Sequence, residues 1–205
     1  ERLAKAWPTL DNIGALAAYD ADDGRTDDAE RRFTEAARAY RDVSPFPIAW
    51  LWFQQGLMWE RAGRAARARE LYEAAVERMP QYAPAVSHLA ALMVQKGDAG
   101  ERDAAIKLVR QLLVVADDPE YLGQLAALLR DAGDKAESER IFAKAAEHYG
   151  FLLDEPSIGD AMADHAARLH LLWGKDLALA LSLAERARKA RPWLAELHRL
   201  EAEVA

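Results

Sequence analysis

Apolar residues recur along this chain at spacings of three and four, with few interruptions. That period places them on one face of an α-helix. Alanine is abundant, and leucine, arginine and glutamate fill much of the rest, all good helix formers. The pattern breaks at Gly24, Ser44-Pro45-Phe46-Pro47, Gly63, Met79-Pro80, Gly97, Asp118-Pro119, Gly133, Gly150, Glu155-Pro156, Gly174 and Arg191-Pro192. Glycine just past a helix end and proline near a helix start are the expected punctuation. Thr26, Asp118 and Ser157 read as N-caps, and Ser157 with Asp160 approaches a capping box. Helices of about 12–16 residues lie between the breaks. No segment alternates as a strand would, so an all-α chain is expected.

The helices repeat. Residues 49–82 present Trp52, Gly56, Trp59, Gly63, Ala68, Tyr72, Ala75 and Pro80. This alternation of large and small residues resembles the tetratricopeptide (TPR) family, whose unit is about 34 residues. Its physical basis is close helix packing: Gly56 and Ala68 are small where two helices cross, and Trp59 and Tyr72 fill the space beside the crossing. Residues 10–43, 83–118, 119–152 and, more loosely, 159–192 carry partial versions. The resemblance implies a right-handed superhelical solenoid of about five antiparallel helix-turn-helix repeats, spanning 1–205 as one array.

The ends extend that array. Residues 1–8 look like the tail of a preceding helix, and 193–205 like a capping helix or the start of a further repeat. Repeat arrays expose an apolar face at each end unless it is capped. The chain therefore reads as a fragment of a longer protein, and self-association through its ends is one expectation.

Residues 49–63 concentrate Trp50, Trp52, Phe53 and Trp59. At about 100° per residue, Trp52, Gly56 and Trp59 share one stripe, and Trp50, Phe53 and Leu57 another on nearly the opposite side. The first stripe carries the repeat signature and is expected to be core. The resemblance implies that the second lines a concave groove, where family members bind peptides or helices. A competing reading is that residues 42–48 fold back over Trp50 and Phe53 and make them local core. Exposed aromatic patches need a reason, which favours the groove.

The groove candidates are Trp50, Phe53, Leu57, Arg61, His88, Gln95 and Arg130, with Asp11, Gly14, Ala18 and Asp22 in the first repeat. Some family members clamp a partner's C-terminal carboxylate with one lysine and two asparagines. The matching places hold Phe53, Gln54 and Leu57, or Ser87, His88 and Ala91, so that clamp is missing. A mixed, partly apolar groove suits an amphipathic helix or an apolar-anchored peptide.

Composition narrows the alternatives. A net charge of −7 argues against general nucleic-acid binding. No apolar run approaches bilayer-spanning length, so membrane insertion is not expected. With no cysteine there is no disulfide, thiol nucleophile or thiolate metal site. His165 and His170 lie about 140° apart around a helix, unlike a zinc pair. No HExxH, Walker loop, GxSxG or dinucleotide fingerprint occurs, and the Trp173-to-Asp176 stretch lacks a glycine-rich lead. The arginines from Arg61 to Arg69 are diluted by glutamates at helical spacing, as on a solvated face. No catalytic residue, metal or cofactor is expected. The expected role is a non-catalytic interaction module or scaffold that binds a protein or peptide partner. The alternative is an accessory, substrate-recruiting region of a larger enzyme, such as a glycosyltransferase or signalling protein. A soluble chain is expected, with the cytoplasm favoured; composition does not name the compartment.

Overall fold

The computed structural model describes residues 2–95, 98–174 and 176–204, apart from the side chains of Leu3 and Ala4. Gly97, expected to end a helix, and Lys175 lie outside the described residues. Among the described residues there is no strand. The chain forms two compact units, Glu1–Glu101 and Arg102–Ala205.

The first unit contains α1 (Arg2–Ala6), α2 (Leu10–Asp22), α3 (Thr26–Ala39), α4 (Pro45–Arg61), α5 (Ala65–Arg78) and α6 (Ala83–Gln95). Helices α2 and α3 form one hairpin and α4 and α5 a second; α4 also packs on both members of the first. Leu10, Ile13, Phe33, Ile48, Leu51 and Met58, with Ala17, Ala29 and Ala36, form the shared core. The alanines admit close helix approach, as the repeat pattern implies. At the second crossing, a Cβ on Gly56 would collide with the Tyr72 ring.

Helix α7 (Ala99–Leu113) spans the division between the units. The second unit continues with α8 (Pro119–Asp131), α9 (Lys135–Asp154), α10 (Gly159–Arg168), α11 (Leu177–Ala190) and α12 (Ala195–Val204). Helices α8 and α9 pair, as do α10 and α11. Helix α12 inserts Leu197 beside Ala163 and Ala187.

Three hairpin turns share one construction. Gly24, Gly63 and Gly133 have φ of 77°, 71° and 93°, in the left-handed region. In the second, Gly63 N–H donates to Glu60 O and Arg64 N–H to Trp59 O. This paired closure of the last helical turn is the Schellman arrangement, which favours glycine.

Several sequence expectations need correction. Gly150 does not break the chain; it lies inside the 20-residue helix α9. Helix α3 begins at Thr26 itself, whose side chain caps nothing, and the Ser157 hydroxyl bonds Glu155 instead. Asp118 does cap α8, accepting from Glu120 N–H at 2.8 Å. Helix α4 begins at Pro45, four residues before the second repeat's expected start. Proline fits the first turn because its missing N–H would be unpaired there anyway. The loose register of the last repeat has a local cause. Helix α10 runs on into a π-helical turn, Leu169–Gly174, and a wider turn shifts every later position around the axis.

Candidate binding slot on the first unit

Helix α4 is apolar on more than one side because it meets α2 and α3 as well as α5. The two-stripe reading is therefore too simple. Trp52 and Trp59, expected as core, are half-buried at the edge of the cluster, as is Trp50. Phe53, expected in the groove, is buried at 7% exposure. Its ring lies 5.7 Å from Tyr72, 5.6 Å from Tyr82 and 5.4 Å from His88. The covering groups come from α5, the turn after it and α6. Residues 45–48 do not fold back over Phe53, because they are the first turn of α4 itself.

That extra turn creates the slot. Phe46 stands one turn before Trp50 on the same helical side and remains 51% exposed. Its other edge rests on Tyr82, with ring centroids 5.8 Å apart. On α2, a Cβ at Gly14 would lie 3.0 Å from Trp50 Cζ3 and 2.8 Å from Leu51 Cδ1. Glycine thus seats the Trp50 indole directly on the α2 backbone. Phe46, Pro47 and Trp50 from α4, with Asp11 and Ala15 from α2, enclose an open, mostly apolar slot of about 330 Å³.

The linker before α4 is tied down. The Asp42 carboxylate accepts from Val43 N–H at 2.6 Å and Ser44 N–H at 3.2 Å, an Asx-type turn. Tyr40 OH donates to Ser44 O, and Arg78 donates to Val43 O at 3.1 Å. The slot wall is therefore held from behind.

The remaining groove candidates are distributed differently. Arg61 pairs with Asp22 at 2.6 Å, joining α4 to α2. His88 Nδ1 lies 2.9 Å from Glu60 Oε2, to which Tyr72 OH also donates at 2.6 Å, joining α4 to α6. The bond from His88, aided by the one from Tyr72, holds the Glu60 carboxyl below the usual carboxylate range against the opposing effect of burial. Burial, with the Glu60 bond second, pushes the Tyr72 phenol up. Leu57 is half-buried and Gln95 is exposed at the end of α6.

Arg130 belongs to the second unit, where its Nη1 donates to Trp173 O at 2.9 Å. There His165 meets Glu120 at 3.4 Å, and that carboxylate raises the imidazole above its ordinary pKa. The structure thus brings Trp50 together with Phe46, Pro47, Asp11 and Ala15, and sets Phe53 apart. Phe46 and Pro47 were missed as site residues because two prolines read as a connection. Pro45 as a helix-start residue was the available signal.

Among the described residues, no group of three or more His, Asp or Glu side chains is placed to hold a metal ion. No helix of the described residues is long and apolar enough to cross a membrane.

No protein-family model matches the sequence, and no curated protein matches it. Solved structures do. The chain is similar to TTC0263, a thermophilic TPR protein of Thermus thermophilus, at 20% identity and a TM-score of 0.64, over 95% of this chain and 98% of that one. It is similar to the C-terminal part of a TPR repeat-containing protein of Cytophaga hutchinsonii at 17% identity and a TM-score of 0.56, over 99% and 76% of the two chains. It is also similar to YrrB, described as a TPR protein with an unusual peptide-binding site, at 15% identity and a TM-score of 0.53, over 93% and 88%. The helical hairpins, the small residues at their crossings and these likenesses together give the chain the all-α fold of the tetratricopeptide-repeat proteins.

Proposed function

We propose that this chain is a non-catalytic protein-interaction module and that the slot on its first unit receives an anchoring side chain from a partner's peptide or helix. The observation that carries this reading is the apolar wall of exposed Phe46 and half-buried Pro47 and Trp50, backed by Tyr82 on one side and Gly14 on the other. A wall fixed in advance loses little freedom on binding, so more of the contact energy appears as affinity. Aromatic rings on a rigid helix are also what interface hot spots are made of. YrrB, with the same fold, is described as having a peptide-binding site. Its likeness supports the class of activity.

The test is selection from a display library of randomised dodecapeptides, run on the wild-type chain and on Ala15→Arg. Ala15 is exposed on α2, and arginine there fills the slot without entering the core. Peptides retained by the wild type and lost by Ala15→Arg support the reading. Selection of the same peptides by both proteins, or of none by either, overturns it.

A further inference from the structure

The chemistry at the rim of the slot narrows what enters it. Helix α2 carries three carboxylates, Asp11, Asp20 and Asp22. Asp20 is 2% exposed and is held by Arg25 at 2.5 Å and by Arg32 at 2.6 Å. Asp22 is neutralised by Arg61. Asp11 is exposed and, among the described residues, has no cation or hydrogen-bond donor against its side chain. It stands one turn before Ala15, at the edge of the space that Phe46 and Trp50 flank. Resting on the interaction reading above, we propose that the slot takes a lysine or arginine side chain of a partner peptide, its methylenes against Phe46 and Trp50 and its cationic head on Asp11.

Several physical matches support this occupant. Lysine and arginine have an apolar stem and a charged tip, which is the sequence of environments the slot offers from wall to rim. An aromatic face attracts a cation through its quadrupole, most strongly for tryptophan, so the wall contributes beyond its apolar area. A carboxylate beside a low-dielectric wall also holds a cation more firmly than one surrounded by water. The slot volume of about 330 Å³ is at the small end of ligand pockets, suited to one side chain. The chain's net charge of −7 favours encounter with a basic segment. A carboxylate in the same place disfavours an acidic peptide, so Asp11 serves selectivity as well as affinity.

The library selection reads this directly. The wild-type pool is expected to show lysine or arginine at one fixed position beside an apolar residue. The pool selected on Asp11→Asn, checked for an unchanged melting temperature, is expected to lose it. Replacing that one basic residue by glutamine in a synthetic consensus peptide is expected to weaken wild-type binding by about tenfold. The same replacement should leave binding to Asp11→Asn unchanged, and the wild-type difference should shrink with added salt. If Asp11→Asn melts lower, Asp11→Glu supplies the second comparison: it keeps the charge and is expected to keep the basic position. An Ala15→Arg-sensitive consensus without a basic residue, or one with a basic residue that Asp11→Asn retains, overturns the cation assignment and leaves the interaction reading intact. The absence of any Ala15→Arg-sensitive peptide overturns both.

Discussion

Two phenylalanines seven residues apart on α4 do different work. Phe53 sits in an aromatic cluster with Tyr72, Tyr82 and His88, whereas Phe46 shows half its surface to solvent. Removing a buried ring leaves a cavity that a packed core cannot close. Phe53→Ala should therefore cost about 3–5 kcal/mol in urea unfolding. Phe46→Ala should cost about 1 kcal/mol or less, because half of its surface is already wet. The glycines form a similar contrast. Gly56→Ala must displace the Tyr72 ring and should destabilise by about 1–3 kcal/mol. Gly150 lies within a helix, with nothing within 4 Å of an added Cβ, so Gly150→Ala should stabilise by about 0.5–1 kcal/mol. Melting curves of the pair should move in opposite directions.

At the scale of the element, helix ends determine where each hairpin turns. The left-handed glycine at Gly63 closes the α4–α5 turn, and an alanine there would meet its own carbonyl. Gly63→Ala should cost about 1–2 kcal/mol by the same unfolding assay. Asp118→Ala removes a formed cap and should cost about 1 kcal/mol. Thr26→Ala, at a position whose side chain caps nothing, should stay within about 0.5 kcal/mol. The π-helical turn is the least regular element. Trp173 from that turn lies over Gly123 of α8, and its carbonyl receives Arg130. These contacts hold a turn that local propensity alone would not favour.

At the scale of the whole molecule, charge links the helices within each unit to pH. His165 in α10 faces Glu120 in α8, with Asp164 beside it and Arg168 opposing. The Glu120 bond dominates, so the folded imidazole keeps its proton to a higher pH than the unfolded one does. The stabilisation is fully present below the ordinary histidine value of about 6.5 and is lost as pH rises through the raised folded value. NMR titration should place the His165 midpoint above that of an unperturbed histidine. The difference in urea midpoint between wild type and His165→Gln should narrow from about pH 5.5 to about pH 8.5. A His165 midpoint at or below the ordinary value would remove the basis for this dependence. Glu60 runs the other way. Its lowered carboxyl contributes stability above the unfolded carboxylate range, and that contribution is lost as pH falls through the folded value.

The helical hairpins were legible in the sequence because they depend on local and periodic signals. A 3.6-residue apolar period, glycines at three turns and small residues at the helix crossings act within or between neighbouring segments, and each leaves a mark in the order of residues. The Gly56–Tyr72 crossing followed from that pattern alone. Burial along α4 did not, because it depends on how many neighbours surround the helix. Tyr82 and His88, about 30 residues from Phe53, cover its ring, so a residue read as groove surface becomes interior. The slot was hidden for the same reason. Two prolines near one phenylalanine read as a loop until the helix that they begin is packed, and Gly14 marks the surface that receives Trp50 only once α2 lies beside it. Periodicity determined which segments are helices and how they pair; tertiary packing decided which aromatic faces remain open to a partner.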